Sequence, residues 1–135
     1  MKLSFSTRGW GDLSWEQLLD CALDMKFSGI EVYNLHKFPA LTGRGGPFHE
    51  HSVAATVRQL RDMKLSIPCF DTSMDISESA ENADVVLQVL RYARDARVPY
   101  VVCWASSEEE DLIRENLSRL LTAAEELGIC MLVKT

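Results

Sequence analysis

Apolar positions along this chain switch between two periods, and the switching outlines its elements. Residues 2–7 set Leu3 and Phe5 among serines, the alternation of a half-buried strand. Ser14 opens a helix over residues 14–26: Gln17, three positions on, completes a capping box, and Trp15, Leu18, Leu19 and Ala22 form one apolar stripe. Residues 29–33, Gly-Ile-Glu-Val-Tyr, form a second strand, entered through a glycine in the C-cap region of the preceding helix. Helical spacing resumes at Val53, Val57 and Leu60 within a helix predicted over residues 50–63. Residues 65–70 read as a third strand, and the polar stretch 71–79 reads as a loop. Val86, Val89, Leu90 and Ala93 then share one face of a helix over residues 81–96. Residues 99–104 are nearly all apolar, as a strand buried on both faces should be. Ser107, with Glu110 three residues later, caps a helix over residues 108–127 whose stripe is Ile113, Leu117, Leu120, Ala124 and Leu127. Gly128 ends it, and residues 129–134 form a fifth strand.

The order is βαβαβαβαβ over a single domain, residues 1–135. Each helix joins two strands that should run parallel, and right-handed crossovers lay the helices against the sheet. Two α/β architectures share this string at this length: the N-terminal part of a (β/α)8 TIM barrel and a flavodoxin-like doubly wound five-stranded sheet. Strand order separates them, 1-2-3-4-5 for a barrel arc and 2-1-3-4-5 for the doubly wound sheet. Both put ligands at the carboxyl ends of the strands. The residues there are Thr7, Arg8 and Trp10; Tyr33, Asn34 and His36; Asp71, Thr72 and Ser73; Trp104, Ala105 and Ser106; Lys134 and Thr135.

Charge narrows the partners. Fourteen Lys plus Arg stand against 20 Asp plus Glu in 135 residues, a net charge of −6, and counterion release on nucleic acid or an anionic membrane needs the opposite surplus. No apolar run reaches the ~18 residues of a membrane helix, and the polar start has no signal-peptide core, so a cytoplasmic setting is expected. The four cysteines, Cys21, Cys69, Cys103 and Cys130, form no CxxC pair and each lies in an apolar stretch. They read as small buried hydrophobes.

Several side chains carry candidate chemistry. Asp71, closing the third strand, is placed either to accept a substrate hydroxyl or to close an Asx-type turn. Trp10 and Trp104 could wall a sugar ring or belong to the core. His36, in the long segment after the second strand, could hydrogen-bond a hydroxyl, move a proton, or stand solvated in the loop. That segment, residues 34–49, is long enough to be functional. Glu31, inside the second strand, needs a partner such as Lys2 or Arg8. His49, Glu50 and His51 resemble a ligand cluster, but alternate residues on an emerging helix point apart. The cluster Glu108-Glu109-Glu110-Asp111 suits the first turn of a helix and is read as capping. Gly43-Arg44-Gly45-Gly46 lacks phosphate-loop spacing, though Arg44 could meet an anionic substrate. No serine sits in a GxSxG elbow.

Asp71, Ser106 and Lys134 imitate the strand-end residues of a two-component receiver domain, which would make the chain a non-enzymatic binding or signalling module. The first strand ends in Ser6-Thr7-Arg8 instead of the acidic pair that would seat Mg²⁺.

A second resemblance spans the whole chain. Lys2-Leu3-Ser4-Phe5-Ser6-Thr7, then Phe27-Ser28-Gly29-Ile30-Glu31-Val32, then Leu60-Arg61-Asp62-Met63-Lys64-Leu65-Ser66-Ile67, and Ala123-Ala124-Glu125-Glu126-Leu127-Gly128-Ile129 follow in that order. The succession resembles the N-terminal half of the xylose isomerase-like TIM barrels, a superfamily of sugar-phosphate isomerases and epimerases and of endonuclease IV-type enzymes (AP endonuclease family 2). Such a barrel usually has about 250 residues.

The resemblance implies a sugar or sugar-phosphate substrate and, for a full-length member, a divalent metal (Mn, Co, Zn or Mg). A Glu closing the fifth strand would be one ligand, with further Asp, His and Glu from later strands. Here Lys134 falls where that Glu would be, and the endonuclease-type histidines after the third and fourth strands are absent. No metal ligand or cofactor is therefore assigned within this chain, and the piece alone is expected to be catalytically incomplete. Trp10, Tyr33, His36, Asp71, Trp104 and Lys134 are expected to line the substrate mouth. Open barrel edges could also drive self-association.

Overall fold

A computed structural model describes residues 2–135. Its strands are β1 (Ser4–Ser6), β2 (Gly29–Tyr33), β3 (Cys69–Asp75), β4 (Tyr100–Trp104) and β5 (Cys130–Lys134). The helices are α1 (Trp15–Asp24), α2 (Pro39–Thr42), α3 (Val53–Asp62), α4 (Ala80–Ala96) and α5 (Glu110–Leu127), with a 3₁₀ turn at Leu35–Lys37. The strands pair in parallel in the order β1-β2-β3-β4-β5. That order is a barrel arc and rules out the doubly wound sheet, together with the receiver-like reading that depends on it.

Local chemistry explains most boundaries. Ser14 Oγ accepts from the Gln17 backbone N–H at 3.2 Å and Gln17 Oε1 accepts from Ser14 N–H at 2.8 Å, the expected capping box. Gly128 ends α5 in the left-handed region at φ 73°, where a side chain would be strained.

The third strand differs from the expected 65–70. Leu65 and Ile67 are buried but precede the strand, which begins at Cys69. Pro68 lacks the N–H a ladder needs, so continuous pairing starts after it. Polar residues 71–75 then extend the strand. Asp71 lies opposite Val102 and Asp75 opposite Trp104, a bulge. The Thr72 hydroxyl donates to Val102 O at 2.7 Å, so a side chain supplies what an apolar strand takes from its backbone.

Ser107 does not cap the last helix. The N-cap is Glu109, without a side-chain bond, while Ser107 N–H donates to Ser77 Oγ at 3.0 Å and ties this turn to the end of β3. The helix expected from residue 50 starts at Val53.

The long segment 34–49 is built rather than loose. Gly46 is buried with Leu41 O only 2.5 Å from where a Cβ would stand, a close approach that carries Phe48 inward. Phe48 is 1% exposed and packs edge-on between Trp15 (5.1 Å) and Phe70 (5.5 Å).

Parallel register puts Ile30, Val32, Phe70, Val101 and Cys103 on the helix-covered face, all 0% exposed. The opposite face carries Glu31, Tyr33, Cys69, Asp71, Tyr100, Val102, Trp104, Leu132 and Lys134. The fourth strand is covered on this face only in part: Val102 is 4% exposed, but Tyr100 is 41% and Leu132 on β5 44%. Cys130, on the same face of the edge strand, is exposed, unlike the other three cysteines.

Candidate functional site

The chemistry gathers where the strands end. Asp71, on the last inward-facing position before the β3 bulge, is 6% exposed. Its Oδ2 lies 3.6 Å from Lys134 Nζ at the end of β5. The same ammonium sits 5.3 Å from the centre of the Trp104 ring, which ends β4. On the other side Tyr33 pairs with Asp71 across β2 and β3, and the Arg8 guanidinium lies 5.2 Å above the Tyr33 ring. Four of the six expected mouth residues, Tyr33, Asp71, Trp104 and Lys134, therefore form one patch.

Of the two roles expected of Asp71, the Asx-type turn is present. Its Oδ1 accepts from Ser73 N–H at 3.0 Å, an Asx-type turn, while Oδ2 faces Lys134. The turn holds Ser73 at φ 51°, and the Ser73 hydroxyl donates to Asn34 Oδ1 at 2.5 Å. Asn34 is itself left-handed at φ 54° and donates its N–H to Asp71 O at 2.7 Å. Two residues in a sparsely populated backbone region thus lock β2 to β3 directly beside the carboxylate.

A second carboxylate lies further out. Asp75 accepts from the Ser77 N–H at 2.9 Å, from both Ser77 Oγ and Ser106 Oγ, and from Ser106 N–H. Burial pushes its carboxyl up, but the hydrogen bonds from Ser106 and Ser77 outweigh that and hold it below the usual carboxylate range. Asp75 and Ser106 line an open cleft of about 400 Å³ with Ser73, Glu78, Asn82 and Trp104. The polarity of residues 71–79, which suggests a loop, conceals Asp75 in the sequence. The signal was there: Asp71-Thr72-Ser73 and Asp75-Ile76-Ser77 repeat one Asx-turn pattern four residues apart.

Trp10 and His36 stand apart from this patch. Trp10 packs on Phe5 at 5.2 Å and lines a smaller cavity of about 170 Å³ with Leu13, Trp15, Phe38 and Leu41. His36 is not solvated: both ring nitrogens are buried without a hydrogen-bond partner. Burial, and secondarily the Lys37 charge, hold its imidazole below 6.5, so it is neutral at neutral pH.

Other expectations are corrected too. Among the described residues Glu31 has no ion pair, because Arg8, past the end of β1, turns onto Tyr33 instead. His49 and His51 do not point apart. They lie in the turn before α3 with rings 5.1 Å apart, and His49 Nδ1 accepts from His51 N–H at 3.2 Å. Burial first, then the charges of Glu31 and Asp71, push the Cys69 thiol up to about 12. Burial with Asp75 and Asp71 does the same to Cys103, also to about 12. Neither thiol is a nucleophile at neutral pH.

The donor chemistry does not fit a divalent cation on these residues alone. Asp71 Oδ2 already faces the Lys134 ammonium at 3.6 Å. Among the described residues no three His, Cys, Asp or Glu side chains converge closely enough to hold a metal. Nor, among them, is any helix long and apolar enough to cross a membrane.

No family model matches the sequence, and no curated protein matches it. Solved structures do match. The probable 3-DHS dehydratase AsbF involved in petrobactin synthesis from Bacillus anthracis superposes with a TM-score of 0.76 at 18% identity, over 98% of this chain and 52% of its own. A xylose isomerase domain containing protein from Salmonella typhimurium LT2 gives 0.76 at 15% identity, over 98% and 48%. The IolI protein with a binding zinc atom gives 0.74 at 15%, over 98% and 51%. This chain spans about half the length of each. Its five parallel strands and intervening helices have the fold of the N-terminal half of a xylose isomerase-like TIM barrel.

Proposed function

We propose that this chain carries the N-terminal part of the substrate site of a sugar or sugar-phosphate isomerase or epimerase. The observation that carries the reading is Asp71: a buried carboxylate at the carboxyl end of a central strand, facing an ammonium that itself lies over an indole. Barrel enzymes do their chemistry at that end. Asp71 accepts a hydrogen bond from a substrate hydroxyl. Lys134 keeps N–H donors for a carbonyl, alkoxide or phosphate oxygen. The Trp104 face packs the C–H side of a sugar, and the Asn34–Ser73 clasp fixes the carboxylate so that little order has to be gained on binding.

Isomerisation also needs a group that moves a proton between neighbouring carbons. We assign none in this chain, and place that group and the metal ligands of a full-length site on strand ends beyond these five. The fold-level neighbours are compatible with this reading: their names include a dehydratase and xylose isomerase domain proteins.

Calorimetric titration with ribulose 5-phosphate tests it. The chain should bind saturably, and Asp71→Asn should weaken binding about tenfold, the worth of a hydrogen bond to a charged group. Equal binding by the two proteins contradicts the assignment.

Tyr100 and Leu132 favour one further reading, in which the open inner face draws two copies together through the strand edges. Sedimentation equilibrium should then show a dimer that Leu132→Lys dissolves; a strictly monomeric parent chain removes this reading.

A further inference from the structure

The mouth carries a second cation that the function proposed above does not use. Arg8 lies over Tyr33, which ends β2, and Lys134 lies over Trp104, which ends β4. Asp71, on the strand between them, sits at the middle. Across the arc the groups therefore run cation on aromatic ring, carboxylate, cation on aromatic ring.

Each cation is aimed without being used up. An aromatic face holds a guanidinium or ammonium in direction but takes none of its N–H donors, which stay free for anionic oxygens. Arg8 is exposed and, among the described residues, has no carboxylate at salt-bridge distance. The Lys134 side chain is half exposed while its partner Asp71 is buried, so its remaining donors face the open mouth. The two cations rise from the ends of β1 and β5 and lean inward over rings on β2 and β4, two strand spacings or ~10 Å apart along the sheet. A phosphate seated on one cation is thus two strands away from the ring that holds the other.

Resting on the sugar-phosphate reading, we infer that the site is two-ended and takes an elongated dianion: a polyol chain with a phosphate or carboxylate at each end. Arg8 binds one end and Lys134 the other, and Asp71 accepts from a hydroxyl between them. Tyr33 and Trp104 are positioning residues for the two cations.

Calorimetry of the whole chain with xylitol 1,5-bisphosphate, xylitol 5-phosphate and xylitol tests this. The bisphosphate should bind at least about tenfold tighter than the monophosphate. Arg8→Gln and Lys134→Gln should each bring the bisphosphate to the level of the monophosphate, and Lys134→Arg should keep the preference. Arg8 is exposed and unpaired, so Arg8→Gln remains informative even if losing Lys134 disturbs Asp71 and the fold. Equal affinity for the two phosphates, or a preference that Arg8→Gln leaves intact, overturns the two-ended site while the sugar-phosphate reading stands. Failure of both phosphates to bind overturns both.

Discussion

On the helix-covered face of the sheet Ile30, Val32, Phe70, Val101 and Cys103 are 0% exposed. On the opposite face Tyr100 stays 41% and Leu132, on the edge strand β5, 44% exposed, although Val102 and Asp71 are only 4% and 6% exposed, and the charged pair Asp71–Lys134 sits on that same side. Within β4 backbone and pairing are shared, so the contrast between Tyr100 and its neighbours Val101 and Cys103 comes from what lies above each face. Helices α1, α3, α4 and α5 cover the first, whereas the second would be covered by the far wall of a closed barrel. Apolar packing is therefore concentrated on one face and the charged strand-end groups on the other, and substitutions should separate the two.

The largest effect should come from the covered face. Phe70→Ala removes a buried ring that Phe48 packs against edge-on and should cost about 3–5 kcal/mol in urea unfolding; a loss below 1 kcal/mol would mean the face is not a packed core. Asn116→Ala comes next. This residue is 1% exposed, and its amide donates to Ile76 O at 2.7 Å and Ser79 O at 3.1 Å. Leaving those carbonyls unpaired should cost about 1–3 kcal/mol. On the open face Leu132→Ser should change stability by no more than about 0.5 kcal/mol, and a large loss would show that this face is covered in solution.

The pH dependence should be the smallest effect. Asp75 is held below its unfolded value, so its contribution is present above about 3.9 and is lost as pH falls through the folded value. His36 is also lowered; being neutral when folded, it contributes above about 6.5 and loses that contribution as pH falls below it. Asp75→Asn should flatten the first limb and His36→Leu the second in thermal melts taken across pH.

Much of this contrast could be read along the chain. The alternation in residues 29–33 and the stripe on α4 name the covered face, and the capping box at Ser14 and Gln17 fixes where α1 begins. Tyr33, Asp71, Trp104 and Lys134 follow from the rule that ligands meet strand ends. The missed features depend on contacts distant in sequence. Residues 71–75 are too polar to look like a strand, and they pair because Thr72 bonds Val102, 30 residues away. Ser107 has the spacing of a cap, but Ser77 engages it first. His36 stands in a polar-looking segment, yet the fold buries its ring nitrogens. Strand order is a tertiary property, and element succession alone left two architectures open.

The central claim is that recognition belongs to the strand-end patch of Tyr33, Asp71, Trp104 and Lys134. Amide and indole chemical-shift mapping during a ribulose 5-phosphate titration tests it most directly. The account predicts saturable shifts centred on those four residues, with the Trp104 indole N–H among them and Trp10 unmoved. Shifts centred on the Trp10 cavity or on the turn from His49 to His51, or no saturable shift at all, would contradict it.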